Sequence, residues 1–167
     1  GLTQDLTRES KVLIHGITHG KVHASTAELK KLKKQVDVLL SLVKKNPRLY
    51  QVGMLTHGLE EYAEVVFLEA YRKKDMKVVD YMPKDMPHES IIGGIADASG
   101  ELVRLVGSNM DIQEAEKVQK YIGELYKHFL DLEVSRNNTL RNKMGNVKRN
   151  LIQLEEMLFD LKIKAGS

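Results

Sequence analysis

The chain has 167 residues, with 26 Lys and Arg against 23 Asp and Glu, and a formal net charge of +3. This length predicts one domain, residues 1–167, with a sizeable core, and 42% hydrophobic and 29% charged residues are ordinary for a globular protein. There is no cysteine, which excludes disulfides, thiolate metal sites and a cysteine nucleophile. Neither a signal-peptide pattern nor an apolar run of about 18 residues is present, so we expect no membrane span and a cytoplasmic location.

The apolar residues recur at helical spacing, and no segment alternates like a strand bounded by turns. Ser25 or Thr26 caps the second helix, Asn46-Pro47 ends it, and Asp111 caps the fifth. The predicted helices run from about Leu6 to Lys21, from Thr26 to Asn46, from Leu49 to Lys74, from Glu89 to Val106, from Asp111 to Leu130, and from Asn138 or Thr139 onward. A linker with two prolines covers Asp80 to His88. These elements predict an all-α, single-domain bundle of about six or seven helices.

Two pairs of acidic residues lie at helical spacing. Glu61 and Glu64 are three apart on the third helix, and Asp97 and Glu101 are four apart on the fourth. Such spacing puts both members of a pair on one side of a helix. Two such helices packed side by side would bring four carboxylates together. Oxygen ligands of this kind suit Mg²⁺ or Mn²⁺, the ions of phosphodiester hydrolysis.

The simpler interpretation of each pair is a solvated helix face. A helical wheel places Glu61 at the edge of the apolar stripe and Glu64 further onto the polar side. What favours a site is the scarcity of nearby cations along the helices, since only Glu101 has one, Arg104 at i+3. His57 precedes Glu61 by one turn and is interpreted as a polar surface side chain.

Further residues near the acidic pairs have structural interpretations. Gly93, Gly94 and Gly100 are poor helix formers, and we expect them to allow close approach of another backbone. Tyr62 and the other inward residues of the third helix are assigned to the core. The inward set is Met54, Leu55, Leu59, Tyr62, Val65, Val66 and Ala70, and Phe67 and Phe129 are also assigned to the core.

Several segments together resemble the translin superfamily, and the acidic ones resemble its translin-associated factor X branch. Gly58 to Glu64 is similar to that branch's Gly-Leu-Gln-Glu-Tyr-Val-Glu segment. Asp80-Tyr81, followed by Gly94 to Arg104, resembles its Asp-Tyr and Gly-Val-Ala-Asp-Leu-Thr-Gly-Glu-Leu-Met-Arg segments. Asn138 to Arg141 looks closer to translin itself. This combination of segments similar to factor X and segments similar to translin is what we expect of a prokaryotic, archaeal-type homologue.

The resemblance implies a translin-like fold that assembles as a homo-octamer into a hollow barrel. It also implies a metal-dependent endoribonuclease that cleaves single-stranded RNA inside the barrel. Residues matching Glu61, Glu64 and Asp97 are catalytic in the factor X branch, and with Glu101 they are the expected ligands of Mg²⁺ or Mn²⁺. Single-stranded DNA is a second candidate partner.

Basic residues supply candidate RNA contacts, with binding directed mainly to the phosphate backbone. The four candidates are Arg104, Arg141, Lys148 and Arg149. Arg104 is equally compatible with an intrahelical salt bridge to Glu101. Other basic clusters, interpreted mostly as solvated faces, are Lys30 to Lys34, Arg72 to Lys74, and Arg136 with Arg141 and Lys143.

Two other functions stay open from the sequence. All-α nucleoside triphosphate pyrophosphatases also use Glu-Glu-x-x-Glu on one helix, which Glu60, Glu61 and Glu64 match. The second alternative is a translin-like RNA- or DNA-binding protein without catalytic activity.

Overall fold

The structure is a computed structural model that describes residues 1–19, 24–131 and 138–166, without the side chains of residues 129 and 131. Seven α-helices and no strand occur within these ranges, so the predicted all-α fold class is confirmed. The helices are α1 (Leu2–Thr18), α2 (Thr26–Lys45), α3 (Gly53–Arg72), α4 (Val78–Tyr81), α5 (His88–Asn109), α6 (Ile112–Asp131) and α7 (Asn138–Gly166). None of these described helices combines the length and apolar character that crossing a membrane requires.

Several helix ends follow the capping residues in the sequence. The Ser25 hydroxyl accepts a hydrogen bond from the Glu28 amide at 3.1 Å, and the Glu28 carboxylate accepts one from the Ser25 amide at 2.7 Å. These bonds from the Ser25 cap lower the pKa of the Glu28 carboxyl. Asp111 caps α6 by accepting from the Glu114 amide at 2.9 Å. The predicted caps of both helices are therefore confirmed.

Other boundaries differ from the prediction. Pro47–Gln51 form a short 3-10 helix, so α3 begins at Gly53 and not at Leu49. The proline fixes a backbone angle that suits the first turn of a new helix, which separates this turn from α3. The expected linker also contains part of the one-turn helix α4. The predicted end of the first helix at Lys21 lies outside the described residues.

The chain divides into two compact units, residues 1–94 and 95–167, with the boundary inside α5. In the first unit α1 packs against α3. Gly58 makes this packing close, because a Cβ atom there would lie 3.1 Å from the hydroxyl oxygen of Thr7. The most buried large side chains of this unit are Leu6, Ile17, Leu29, Leu32, Leu59, Tyr62, Leu68 and Ile92. One domain spanning residues 1–167 stays a prediction.

A buried carboxylate fixes the end of α3 in the first unit. Glu69 is fully buried, and its Oε1 accepts a hydrogen bond from the Ala24 amide at 2.9 Å. Its Oε2 lies 3.1 Å from Lys73 Nζ, and the same ammonium group donates to the carbonyl oxygen of Ala24. Burying a carboxylate is costly unless it is compensated. These contacts compensate it and attach α3 to the segment that enters α2.

In the second unit α6 packs against α7. The remainder of α5 also contacts α7, through side chains on both helices. Asn150 on α7 donates to the Ser99 hydroxyl on α5 at 2.7 Å, and further along Met157 approaches Gly107. The residue numbers rise together along both helices, so α5 and α7 run parallel. The buried apolar side chains are Ala98, Leu102, Val103, Val106, Ala115, Val118, Ile122, Leu125, Val147, Leu154, Leu158 and Leu161.

Candidate functional site

Glu61 lies near the middle of α3 and has two basic neighbours. Its Oε1 atom is 3.1 Å from Nε2 of His57, one turn earlier, and 3.8 Å from Nζ of Lys11 on α1. The Glu61 side chain is only 12% exposed, whereas His57 and Lys11 reach solvent. Along its own helix Glu61 has only His57 as a basic residue within one turn, as the sequence indicated, and the cationic partner Lys11 comes from α1. Lys11 is 50 positions away in sequence, and helix periodicity gives no signal for such a contact.

Glu64 is buried, with 6% of the residue exposed, so its predicted position on the polar side of the helix is wrong. A helical wheel assumes that one face of a helix is covered. In the structure every residue from Tyr62 to Glu69 is buried, because other elements surround this part of α3. Met54, by contrast, was assigned inward but is exposed near the start of the helix. Glu64 is thus an ionisable residue placed in a protein interior, which is uncommon.

Two glycines bring the beginning of α5 against α3, and a Cβ atom at the first of them, Gly93, would lie 2.6 Å from Cδ of Glu60. A Cβ atom at Gly94 would lie 2.5 Å from the Cβ of Ala63 and 2.8 Å from the backbone nitrogen of Glu64. Real Cβ atoms do not approach so closely, so the expected role of Gly94 in close backbone approach is confirmed. Gly100 has only an ordinary contact, at 3.8 Å, with the amide nitrogen of Asn150. Its predicted role in close approach is therefore wrong.

Asp97 and Glu101 belong to the second unit, and each has a basic partner there. Asp97 is half exposed, and its Oδ1 lies 3.8 Å from Nζ of Lys143 on α7. Glu101 is more enclosed, and its Oε1 lies 2.9 Å from the guanidinium of Arg104. The intrahelical salt bridge considered for Arg104 is therefore present. The partner of Asp97 was not predicted, although Lys143 belonged to a basic cluster seen in the sequence.

Polar contacts fix α7 beside the Asp97 segment of α5. The buried Ser99 hydroxyl donates to the carbonyl oxygen of Ala96 at 2.7 Å and accepts from the Asn150 amide at 2.7 Å. Asn150 and Lys143 are seven residues apart, about two helical turns, and therefore lie on the same side of α7. This side faces α5, which places Lys143 next to Asp97.

The candidate metal ligands have the right chemistry but no ready-made arrangement. Carboxylate oxygens are the ligands that Mg²⁺ and Mn²⁺ prefer. Across the described part of the chain, however, no group of three or more His, Asp or Glu side chains is placed to hold a metal ion. The ligand set Glu61, Glu64, Asp97 and Glu101 stays a prediction.

The basic candidates for RNA contact are all exposed. The side chain of Arg104 is largely in solvent despite its salt bridge. Arg141 and Arg149 donate to the side-chain oxygens of Asn138 and Asn146, and Lys148 is exposed on the same helix. In two of the other clusters, Lys31 pairs with Glu9, Lys33 with Asp37 and Lys73 with Glu69. Arg136 and the side chain of Phe129 lie outside the described residues.

Tyr62 is a core residue, as predicted. It lies between Glu61 and Glu64 in sequence and is fully buried. Its hydroxyl donates a hydrogen bond to the carbonyl oxygen of Tyr81 at 2.6 Å. Burial raises the pKa of the Tyr62 phenol above its usual range, because the charged form would lose its hydration. The neutral phenol therefore acts as a structural link between α3 and α4. Phe67 is likewise buried.

Three comparisons with known proteins bear on the fold. The chain is similar to a structure of apo-NeC3PO, with 23% identity, a TM-score of 0.76, and coverage of 96% of this chain and 86% of that chain. It is also similar to AfC3PO, with 18% identity, a TM-score of 0.81, and coverage of 99% and 88%. A complex of AfC3PO with duplex RNA gives 18% identity, a TM-score of 0.80, and coverage of 98% and 86%.

At these identities the similarities establish a shared fold. A search of curated proteins gives no match. The sequence model of the Translin family matches residues 2–165, which is nearly the whole chain and runs through both compact units. This match and the all-helical fold agree with the resemblance seen in the sequence motifs. The chain therefore belongs to the Translin family, and its fold is translin-like.

Proposed function

We propose that this chain binds RNA and acts as a metal-dependent endoribonuclease that hydrolyses phosphodiester bonds in single-stranded RNA. Glu61, Glu64 and Asp97 are the proposed catalytic residues, and these three with Glu101 are the proposed ligands of Mg²⁺ or Mn²⁺. Family membership supports RNA binding, since a structure of similar fold holds duplex RNA. The cleavage activity and its metal dependence are supported by the acidic motif.

The observation that carries this proposal is the burial of Glu64 one turn beyond Glu61. An interior carboxylate costs free energy that an apolar side chain would not, so its presence indicates a role beyond packing. Gly94 adds to this, because its missing side chain lets α5 lie directly against the backbone of Glu64. An alanine there would clash with Ala63 and with that backbone. The sequence thus places an interior carboxylate and a close helix–helix contact at the same point of α3.

The test is a cleavage assay on labelled single-stranded RNA with Mg²⁺, with Mn²⁺ and with a chelator. We expect cleavage with either ion and none with the chelator. Glu61→Gln and Asp97→Asn should each abolish cleavage while circular dichroism stays unchanged. Glu116→Gln is the matched control, because Glu116 is an exposed helical carboxylate paired with Lys162 at 2.8 Å. Full activity of Glu61→Gln, or full activity in the chelator, would refute the metal-dependent mechanism.

The proposed substrate preference needs a direct comparison of strands. An enclosed site inside a barrel admits a flexible single strand more easily than a long, stiff duplex. A duplex-RNA complex exists for a structure of the same fold, so short duplexes belong in the assay. We expect single-stranded RNA to be cut faster than long duplex RNA, and single-stranded DNA to bind but to be cut slowly. Faster cleavage of the long duplex would contradict an enclosed site.

We also propose that the chain assembles as a homo-octamer. Three leucines of α7, namely Leu154, Leu158 and Leu161, are buried within the chain and are not available for a subunit contact. The exposed apolar side chains of α7 are instead Ile152, Phe159 and Ile163. Their spacing of seven and four places them on one side of the helix. Light scattering should give about eight times 19.0 kDa, and Phe159→Glu should reduce that mass.

A second candidate function is RNA binding without catalysis, which a structure of similar fold that holds duplex RNA supports. The two functions separate in one experiment, because a non-catalytic binder would shift RNA in a gel and leave it uncut with either ion. The family match disfavours the pyrophosphatase alternative, and release of pyrophosphate from free nucleotides would reinstate it.

A further inference from the structure

Two histidines at the end of α1 form a cluster that the proposed function does not use. His15 lies in the last turn of α1, and His19 is the residue that caps its C-terminus. They are four residues apart, about one helical turn, so both side chains lie on the same side of the helix. The centroids of the two imidazole rings are 4.1 Å apart, and the rings are tilted by 35° to each other. Both residues are exposed, so a solute can reach the rings.

The His19 ring is held in one orientation by its own helix. Its Nδ1 atom lies 2.8 Å from the carbonyl oxygen of His15 and 3.3 Å from the hydroxyl of Thr18. A carbonyl oxygen can only accept, so Nδ1 carries the hydrogen and donates it. In the neutral ring the lone pair is then on Nε2. A backbone carbonyl that accepts from one ring nitrogen is a usual support of a metal-bound histidine, because it fixes the tautomer and the ring orientation.

The separation of the two rings suits a single metal ion. Bonds from zinc to histidine nitrogen are ~2.0–2.1 Å long, so two nitrogens on one ion are at most about 4.2 Å apart. The ring centroids are already 4.1 Å apart. Rotation of the His15 side chain between its allowed rotamers can therefore bring one nitrogen of each ring to the same ion without any change in the backbone.

The position and chemistry of the pair indicate which ions it would hold. The C-terminal end of a helix carries a partial negative charge, which favours a cation there. The cation Lys11 lies one turn before His15, but its ammonium group is 3.8 Å from the carboxylate of Glu61. Neutral imidazole suits Cu²⁺, Ni²⁺ and Zn²⁺, whereas Mg²⁺ and Mn²⁺ prefer oxygen ligands. The histidine pair therefore differs in metal preference from the carboxylates of the proposed catalytic site.

We propose that His15 and His19 form a two-histidine site for a divalent transition-metal ion of the Cu²⁺, Ni²⁺ and Zn²⁺ class, with water completing the coordination. The bound ion links the last turn of α1 to its C-terminal residue and stabilises that end of the helix. This inference does not rest on the proposed RNA cleavage, because neither histidine belongs to the proposed catalytic or RNA-contact residues.

The test is a calorimetric titration of the full chain with Cu²⁺, Ni²⁺, Zn²⁺ and Mg²⁺ at one fixed pH. Cu²⁺ should bind more tightly than Ni²⁺ or Zn²⁺. His15→Gln and His19→Gln should each weaken Cu²⁺ binding by at least ~10-fold, because losing even a group that orients a ligand costs 10–100-fold. Mg²⁺ titrations should be the same for the full chain and both variants. Circular dichroism checks that the variants are folded.

His88→Gln is the matched control. His88 is also an exposed histidine at a helix end, but the residues one turn away on either side are Lys84 and Ile92. This variant should keep the Cu²⁺ affinity of the full chain. Cu²⁺ should also raise the Tm of the full chain and of His88→Gln, since a ligand that binds the folded state stabilises it, and this rise should be lost in His15→Gln and His19→Gln.

Electron paramagnetic resonance of the Cu²⁺ complex separates direct ligation from an indirect effect on folding. The spectrum of the full chain should show coupling to two ring nitrogens, and either variant should lose this pattern. Cu²⁺ affinity that is unchanged in both variants, or a full-chain spectrum without two nitrogens, would overturn the inference and leave a pair of imidazole rings in contact. A failure to cut RNA would bear on the proposed function alone.

Discussion

Asp97 differs from the other three candidate carboxylates, Glu61, Glu64 and Glu101, in how far it is withdrawn from water. Glu61 and Glu64 on α3 are enclosed, whereas Asp97 on α5 is half exposed. Glu61 has one basic neighbour on its own helix, His57, and one on α1, Lys11. Asp97 lies where water and salt compete with its partner. The comparison shows that folding encloses Glu61 and Glu64, whereas the surroundings of Asp97 include solvent.

The largest expected effect follows from Glu64. Glu64→Gln keeps the side-chain volume but removes the charge, so RNA cleavage should fall by at least ~100-fold if that charge acts in the reaction. Initial rates with saturating RNA and Mn²⁺ measure the effect, and circular dichroism checks the fold. Glu116→Gln serves again as the exposed control and should keep its rate. A Glu64→Gln variant as fast as the unmodified chain would reduce Glu64 to a structural residue.

The next effect tests the close contact at Gly94. In Gly94→Ala the added methyl meets the backbone of α3, and such overpacking should lower the free energy of unfolding by about 1–3 kcal/mol. Gly123 is a matched control on α6, because nothing lies within 4 Å of a Cβ atom there. Gly123→Ala should raise stability by up to about 1 kcal/mol through helix propensity alone. Urea unfolding of both variants makes the comparison, and equal stabilisation would contradict the packing at Gly94.

Local patterns in the sequence were sufficient to predict most of the fold. Ser25 and Asp111 cap their helices as expected, because a cap depends on residues within one turn. The spacing of acidic residues also identified Glu61, Glu64 and Asp97 as candidates. Burial of Glu64 could not be predicted, since it depends on how many other elements surround α3. A helical wheel assumes that only one face of a helix is covered, whereas α3 is covered on more than one face.

The partners of the carboxylates show the same limit. The Glu101–Arg104 pair lies within one turn and was visible in the sequence. The contacts of Glu61 with Lys11 and of Asp97 with Lys143 join residues 50 and 46 positions apart. Such contacts follow from tertiary packing. Helical periodicity does not predict which residues of two helices lie next to each other. The motif was therefore sufficient to identify the candidate residues, but their charged neighbours could be identified only from the structure.

A smaller effect concerns the buried phenol beside the α3 pair. Burial raises the pKa of Tyr62, so its phenol ionises more readily in the unfolded chain, whose pKa is ~10. Its contribution to stability is therefore complete below about pH 10 and declines as the pH rises above that value. Tyr62→Phe should cost ~0.5–1.5 kcal/mol at pH 8 through the lost bond to the Tyr81 carbonyl.

At about pH 11 that deficit should shrink by ~1 kcal/mol, because the variant lacks one group that ionises on unfolding. Urea midpoints of the two proteins at pH 8 and pH 11 measure the difference. Tyr121→Phe offers a parallel case in the second unit, since burial raises the pKa of Tyr121 as well. A Tyr62→Phe deficit that grows with pH would contradict a buried neutral phenol.

The smallest effect is expected for the ion pairs of Glu61 and Glu101, which are both enclosed glutamates. Lys11→Met removes a contact that joins α1 to α3, and should lower the free energy of unfolding by up to ~1 kcal/mol. Arg104→Met removes a contact within one turn of α5, and should cost only ~0.3–0.5 kcal/mol. The cations of both pairs are exposed and both carboxylates are largely enclosed, so raising the salt concentration should reduce the two costs alike. Urea unfolding at low and high salt gives both numbers, and a larger loss in Arg104→Met would show that a contact between helices is not the stronger of the two.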